Sequence, residues 1–306
     1  SMLRLKYLIK RFLYTIKNDG VVLAFKKIYK TIFYSNKINL DKLKLDKNLS
    51  LDDLFLIFGT DKGSLDGKKT YYLLRNKKQG KKQFKNYYEW INRDNPRNFE
   101  YQLGLNHTPY YEKHFAPLRN KQLKVLEIGV ANGHSVASWY YYFPNSIIHA
   151  VDIKKSYKFF YKANRIFYHS LDCSNNKDVT KFITKNKNFD IIVEDANYLQ
   201  PRTANNIKNF YPTLNPGGIY ILEDFKMADE QLETVSKYND AHGGKMMTDF
   251  PITMHKIFEL IKKKEIFEHE VFKKSDLNYL FDTTEKVEVY YSQHPGSSMG
   301  LLFKKS

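Results

Sequence analysis

From about residue 124 onward, short apolar runs alternate with longer stretches in which apolar positions recur every three or four residues. Residues 125–128, 147–151, 166–170, 190–193 and 218–222 read as buried strands, and 135–142, 157–164, 179–185 and 203–214 as the helices between them. Strand and helix in strict alternation predict an α/β domain, a mostly parallel sheet wrapped by helices. Two further period-2 segments, 287–292 and 299–304, flank a turn containing His294-Pro295-Gly296-Ser297-Ser298 and predict an antiparallel hairpin that closes the sheet.

The pattern ahead of this core is different. Leu5, Leu8, Ile9, Phe12, Leu13 and Ile16 recur at helical spacing, Asp19-Gly20 interrupts, and Val22, Phe25, Ile28 and Ile32 resume the period, with Lys and Arg between them. Two basic amphipathic helices are predicted. They fit a helical hairpin packed on its own domain or a second subunit, and equally a patch lying on an anionic membrane surface. Residues 51–58 form a further helical segment leading into Gly59-Thr60-Asp61-Lys62-Gly63-Ser64, and 110–118 another. Between Ser64 and His107 the chain is polar, Lys- and Tyr-rich and irregular. The chain divides accordingly into a basic helical extension (1–50), a region suited to acceptor binding or to a lid (51–120), and the α/β domain (121–306).

Composition narrows the function classes. At 306 residues and 42% hydrophobic content, the chain can bury a substantial core. Its one cysteine, Cys173, forms no internal disulfide, and no Cys/His spacing suggests structural zinc, which predicts a reducing, cytoplasmic setting. No segment has the form of a secretory signal or a bilayer span. The formal net charge of +17 accompanies abundant Lys, Asn, Ile, Tyr and Phe, so part of it is compositional background. What remains clusters before Arg119 and predicts a negatively charged partner for that part of the chain.

Candidate chemistry begins at Leu126-Glu127-Ile128-Gly129-Val130-Ala131-Asn132-Gly133-His134-Ser135, a buried strand running into a glycine turn and a helix. Gly129 permits a tight turn and Gly133 a close backbone approach to a ligand. A pyrophosphate-binding turn would place glycine where Ala131 stands, and Glu127 precedes the turn, so a cofactor without phosphate is expected. S-adenosylmethionine fits: its amino-acid end meets the loop at Glu127, Gly129, Gly133 and Ser135, and its ribose diol meets Asp152 at the end of the next strand. Asp172, ending the third strand, is placed to accept from the adenine amino group, or else serves strand-end turn chemistry.

The fourth strand ends in Val193-Glu194-Asp195 and the fifth in Leu222-Glu223-Asp224. These strands are neighbours in a sheet of this plan, so Asp195, Glu223 and Asp224 converge. Clustered carboxylates require a proton or a cation, and hard oxygen ligands with room for water suit Mg²⁺. The competing account has these acids capping helices or pairing with Arg202 and Lys226.

With these residues assembled, the chain resembles the metal-dependent sugar O-methyltransferases of the mycinamicin and macrocin type, which have a Rossmann-like class I methyltransferase fold. The matching pieces are Phe58-Gly59-Thr60-Asp61-Lys62-Gly63, His107-Thr108-Pro109-Tyr110-Tyr111, the segment from Leu126 to Val130 with Gly133 and Ser135, Tyr142-Phe143-Pro144, Asp152, and the segment from Pro216 to Asp224. The resemblance implies that Asp195, Glu223 and Asp224 hold the metal and that a sugar hydroxyl accepts the methyl group. The family places a histidine base three residues after the strand-four aspartate; here that position is Tyr198. Tyr198, His242 beside Gly243-Gly244, or His255 then stands in as base, or the metal-held hydroxyl gives its proton to water, with His255 better explained as a helix-face residue. Lys68 to Phe99 interleaves cations with Tyr71, Tyr72, Phe84, Tyr87, Tyr88 and Trp90, which suits a lid over an acidic saccharide or a solvated insertion.

The expectation is therefore an S-adenosylmethionine- and Mg²⁺-dependent O-methyltransferase acting on a sugar of a surface glycan or a glycosylated precursor. It is cytoplasmic, with peripheral membrane contact or a homo-oligomer as the role of residues 3–33. An RNA or DNA methyltransferase is the alternative enzyme. It is disfavoured by the carboxylate cluster and by the absence of an Asn/Asp-Pro-Pro-Tyr/Phe motif, so no nucleic-acid partner is expected. A non-catalytic binding protein of the same fold is the third reading.

Overall fold

The computed structural model describes residues 37–67, 103–155, 158–196, 200–225, 252–291 and 298–306. The apolar runs become strands β2 (Lys124–Ile128), β3 (Ile147–Asp152), β5 (Ile166–Ser170), β6 (Phe189–Glu194) and β7 (Leu214–Glu223), joined by β8 (Thr284–Tyr291) and β9 (Ser298–Lys304). Two short strands, β1 (Ile38–Asn39) and β4 (Tyr161–Lys162), pair separately. The seven strands form one sheet in the order β5-β3-β2-β6-β7-β9-β8. β2, β3, β5, β6 and β7 are parallel, and β9 runs antiparallel between β7 and β8. This is the expected Rossmann-like class I plan with its C-terminal hairpin.

Strand residues divide between the two faces at period 2, as pleating demands. Val125, Ile148, Ala150, Ile191, Val193, Ile219 and Ile221 join one core cluster, and Leu126, Ile128, Val151, Ile192, Tyr220 and Leu222 the other. The first face is covered by α1 (Leu51–Phe58) and α3 (His134–Tyr142), with α2 (Thr108–Phe115) alongside. Ser50 caps α1 by accepting from Asp53 N at 3.1 Å, and Phe55 meets Trp139 of α3 edge-on at 5.1 Å. Residues 37–67 and 103–118 are thus built into the same core as the sheet. α4 (Asn176–Lys185), α5 (Gln200–Phe210), α6 (Met254–Lys263) and α7 (Lys274–Thr283) lie on the other face.

One predicted helix is corrected. Among the described residues of 157–164 there is a two-residue strand, Tyr161–Lys162, parallel to Ile38–Asn39. Phe159 and Tyr161 are fully buried while Phe160 between them is 44% exposed, so the apolar run obeys a strand period. The predicted helix 203–214 is also shorter: α5 ends at Phe210, a 3₁₀ turn spans Tyr211–Thr213 around Pro212, and β7 begins at Leu214. Helices α6 and α7 are additions to the predicted elements. The basic helices of 3–33 and the segment 68–99 lie outside the described residues. Among those described, no helix is long and apolar enough to cross a membrane.

Near the β5 edge, His149 Nδ1 and His169 Nε2 face each other at 3.0 Å, with rings stacked parallel between Phe167 and Phe182. Burial, then His169, then Lys124 depress His149 to about 4. Below its unfolded value of about 6.5 the unfolded chain takes up a proton that the folded chain refuses, so stability present above that pH is lost as pH falls towards 4. The melting temperature is expected to drop across this window. In His149→Gln the drop should be shallower, because among the described residues only His269, also held at about 4 by burial, then contributes a comparably depressed histidine.

Candidate functional site

The strand order reverses beside β2, whose neighbours β3 and β6 leave it through opposite crossovers, and ligands in such sheets bind at the carboxyl ends of the strands there. The loop after β2 is wound tightly: Gly129, Ala131 and Gly133 have φ of 93°, 48° and 88°. Asp152, ending β3, holds this loop. Its Oδ2 accepts from Ala131 N at 2.7 Å and its Oδ1 from Lys154 N at 2.8 Å. A cleft opens here, lined by Gly129, Asp152, Ile153, Asp172, Cys173 and Arg202 among others.

Of the expected cofactor contacts, Gly129, Asp152 and Asp172 line this cleft. Asp172 is also a turn residue: its Oδ1 accepts from Ser174 N at 2.9 Å and Ser174 Oγ at 2.6 Å, and these bonds hold its pKa below the usual value. Burial pushes the Cys173 thiol up to about 12, so it is an inert wall rather than a nucleophile. Gly133 is the N-cap of α3, close to the Tyr168 hydroxyl, and Ser135 lies in the first turn of that helix. Glu127 is fully buried. Its Oε2 accepts from Trp139 Nε1 at 3.1 Å, and burial raises its pKa to about 7, against the pull of Lys62 and Ser135.

The three acids predicted to converge do converge, and the structure adds two cations. Asp195 N continues the β2 ladder by donating to Ile128 O at 2.8 Å, which sets Asp195 beside the glycine loop. Glu194, the preceding residue, points to the opposite face, where Asn206 Nδ2 and Tyr220 OH donate to it. At the end of β7 the pleat would send Glu223 and Asp224 to opposite sides. Asp224 instead adopts φ 53°, a conformation aspartate tolerates, and His107 reaches both, with Nδ1 3.3 Å from Glu223 Oε1 and Nε2 3.3 Å from Asp224 Oδ1. Lys62 Nζ donates to Asp195 Oδ2 at 2.7 Å and to Glu223 Oε2, and lies 3.9 Å from Glu127 Oε1. Tyr111 OH donates to Glu223 Oε1.

Two loops deliver these side chains. Residues 61–64 and 104–107 are joined by backbone hydrogen bonds: Gly104 N to Ser64 O, Leu105 N to Asp61 O, Asn106 N to Gly63 O and His107 N to Lys62 O. Asp52 of α1 ties them further, accepting from Ser64 N at 2.6 Å, Ser64 Oγ at 2.6 Å and Thr108 Oγ1 at 2.9 Å. The segments Gly59-Thr60-Asp61-Lys62-Gly63 and His107-Thr108-Pro109-Tyr110-Tyr111 therefore exist, structurally, to plant Lys62, His107 and Tyr111 in the acid cluster.

Electrostatics follow from that placement. Burial works to lower the pKa of Lys62, but Asp195, Glu223 and Glu127 together raise it well above the ordinary lysine value. Burial likewise opposes charge on His107, yet bonds to Asp224 and Glu223 lift it to about 9. Glu223, despite burial, is held at about 2 by Lys62 and His107. Among the described residues the partners of the acids are thus Lys62 and His107; of the two cations named in the competing account, Arg202 lines the cleft and Lys226 is outside the described residues.

For a divalent ion the donor set divides. Glu223, expected as a ligand, has a fully buried side chain whose two oxygens serve Lys62, Tyr111 and His107. Asp195, with 22% of its side chain exposed, and Asp224 beside it offer hard oxygens. Among the described residues no three acidic or histidine side chains are spaced to hold an ion alone. Two carboxylates with water completing the shell is an arrangement that suits Mg²⁺. Of the candidate bases, Tyr198 and His242 lie outside the described residues. His255 sits on the exposed face of α6, 3.1 Å from Glu259, as a helix-face residue would.

No protein-family model matches the chain. It is 30% identical over 137 residues to mycinamicin VI 2''-O-methyltransferase of Micromonospora griseorubida, covering 42% of this chain and 34% of that protein. Over 127 residues it is 29% identical to 8-demethyl-8-alpha-L-rhamnosyl tetracenomycin-C 2'-O-methyltransferase of Streptomyces olivaceus, with shares of 39% and 33%. Demethylmacrocin O-methyltransferase of Streptomyces fradiae matches at 29% over 125 residues, with shares of 38% and 31%. The matched segments thus span about a third of these curated relatives. Among solved structures, the MycE methyltransferase of mycinamycin biosynthesis in complex with Mg and SAH aligns with a TM-score of 0.49 and 22% identity. That alignment covers 65% of this chain and 49% of that one. The chain resembles sugar O-methyltransferases.

Proposed function

We propose that this chain is an S-adenosylmethionine-dependent O-methyltransferase acting on a hydroxyl of a sugar-bearing acceptor, with Mg²⁺ held by Asp195 and Asp224. The observation that carries this reading is the adjacency of two sites: the glycine loop touches the Asp195–Ala196 backbone, so the cleft under Asp152 ends at the acid cluster. When bound, the two groups supply an activated methyl and a Lewis acid for a hydroxyl.

The chain's own residues do the rest. Asp152 has lone pairs left after accepting from Ala131 and Lys154 and can take both ribose hydroxyls. With Asp172 it gives the cleft two carboxylates against the one guanidinium of Arg202, which favours a cationic cofactor over a phosphate-bearing one. Lys62, His107 and Tyr111 fix Glu223, and so the floor of the acceptor site, leaving positioning and proton removal as the sources of rate. Proton removal is assigned to Tyr198 or His242. The acceptor is a sugar of a surface glycan or glycosylated precursor, met by the Lys- and Tyr-rich segment 68–99 as a lid, in a cytoplasmic enzyme that touches the membrane through residues 3–33. Relatives named for methylating glycosylated natural products support the sugar.

The test is calorimetric titration of S-adenosylhomocysteine with and without Mg²⁺. Two charge-assisted hydrogen bonds, at about 1.5–3 kcal/mol each, put the loss in Asp152→Ala at roughly 100-fold or more. Absence of binding by the unaltered chain under either condition would sink the reading.

A further inference from the structure

The acid cluster contains a feature that a bare metal site does not need. Glu127, Asp195, Glu223 and Asp224 bring four carboxylates together, and Lys62 sits among them with 5% of its side chain exposed. Its ammonium bonds Asp195 Oδ2, on a carboxylate that also faces solvent, and Glu223 Oε2, on a carboxylate that is sealed. We propose that Lys62 is a resident counter-cation that keeps the cluster assembled without a metal and sets how weakly it holds a divalent ion. The inference rests on the assignment of Mg²⁺ to Asp195 and Asp224.

The physical argument is one of shared ligands. An ion on Asp195 must share that carboxylate with the ammonium or push it aside. In a buried site like charges a few ångströms apart are poorly screened. Lys62 cannot retreat easily, because its loop is bonded on one side to residues 104–107 and on the other to Asp52. Its positive charge therefore opposes the ion's. It also offsets the mutual repulsion that would otherwise spread Asp195, Glu223 and Glu127 apart. Glu127 gains a role from the same geometry, as the inner acid that draws Lys62 toward the strand ends. The consequence is a pre-formed site that exchanges its ion readily.

The experiment uses Mn²⁺ as the probe, with free ion followed by electron paramagnetic resonance in the full chain, and S-adenosylhomocysteine titrated into the same samples. Lys62→Met should bind Mn²⁺ at least about tenfold more tightly than the unaltered chain. Its melting temperature without metal should fall, and should rise more on adding Mn²⁺ than that of the unaltered chain. Lys62→Arg, which keeps the charge, should stay close to the original affinity, and Lys62→Met with Glu223→Gln, which removes a matched pair, should return to it. Unchanged or weaker Mn²⁺ binding by Lys62→Met overturns the role of Lys62 while leaving the ion site standing. No Mn²⁺ binding by either chain overturns both, and S-adenosylhomocysteine binding in those samples reports separately on the cofactor. If Lys62→Met folds neither with nor without Mn²⁺, the double variant decides: original affinity supports the proposal, altered affinity overturns it.

Discussion

Gly129→Ala is expected to abolish detectable S-adenosylhomocysteine binding and to lower the melting temperature by roughly 10 °C, a cost on the order of 3–5 kcal/mol for a chain of this size. Two effects combine. A Cβ at Gly129 would lie 2.3 Å from Asp195 O and 2.4 Å from Ala196 Cα, so backbone must move on a strand end that also carries an acid of the cluster. The residue also has φ 93°, which costs a side chain about 1–2 kcal/mol even in open space. Gly217→Ala separates the two, because Gly217 has φ 73° but its nearest neighbour to a new Cβ is Ser306 Oγ at 3.6 Å. That variant should show the backbone strain alone, with cofactor binding intact. Thermal melts and calorimetry on the pair check both parts. Equal losses in the two variants would mean that the approach of Asp195 to the loop carries no weight.

The contrast also indicates what a sequence can disclose about such a site. Asp152, Asp195, Glu223 and Asp224 were within reach because each ends an apolar run, and the rule that parallel strands present their carboxyl ends together converts positions along the chain into positions in space. Lys62 and His107 obey no such rule. They stand in polar loops without period, 133 and 161 residues from the acids in the case of Lys62, and only the detailed hydrogen bonding between the loops brings them in. The signal for them was the two motifs shared with sugar O-methyltransferases, whose matching residues include a lysine and a histidine with no role that spacing alone could assign.

Local pattern misleads where period is ambiguous. In the stretch Lys158-Phe159-Phe160-Tyr161 three aromatic residues in a row satisfy a helical face as easily as a strand, and burial of Phe159 and Tyr161 on either side of exposed Phe160 decides for the strand. Strand pairing with Ile38–Asn39, far away in sequence, is what selects that conformation. Helix α6 was open to the opposite inference. Met254, Ile257, Phe258, Leu260 and Ile261 make an unbroken buried stripe, and Thr253 caps it by accepting from Lys256 N at 3.1 Å.

Glu223→Gln distinguishes two pictures of the acid cluster by sign. If Glu223 were chiefly an outward ligand crowded by other acids, neutralising it would relieve repulsion and stabilise the metal-free chain. The structure gives it the opposite place. Its side chain is fully buried, its oxygens accept from Lys62 and Tyr111, and His107 lies 3.3 Å away. Removing its charge leaves two buried cations short of a partner, and breaking a buried pair in this way costs about 3–5 kcal/mol. The glutamine keeps the shape and one acceptor, so the chain should fold, with a melting temperature lowered by roughly 10 °C in the absence of metal. Mg²⁺ should not repair the loss, since the deficit is in negative charge. Denaturant melts with and without Mg²⁺ measure this directly. A stabilised Glu223→Gln would return Glu223 to the metal and leave Lys62 and His107 as partners of Asp195 and Asp224 alone.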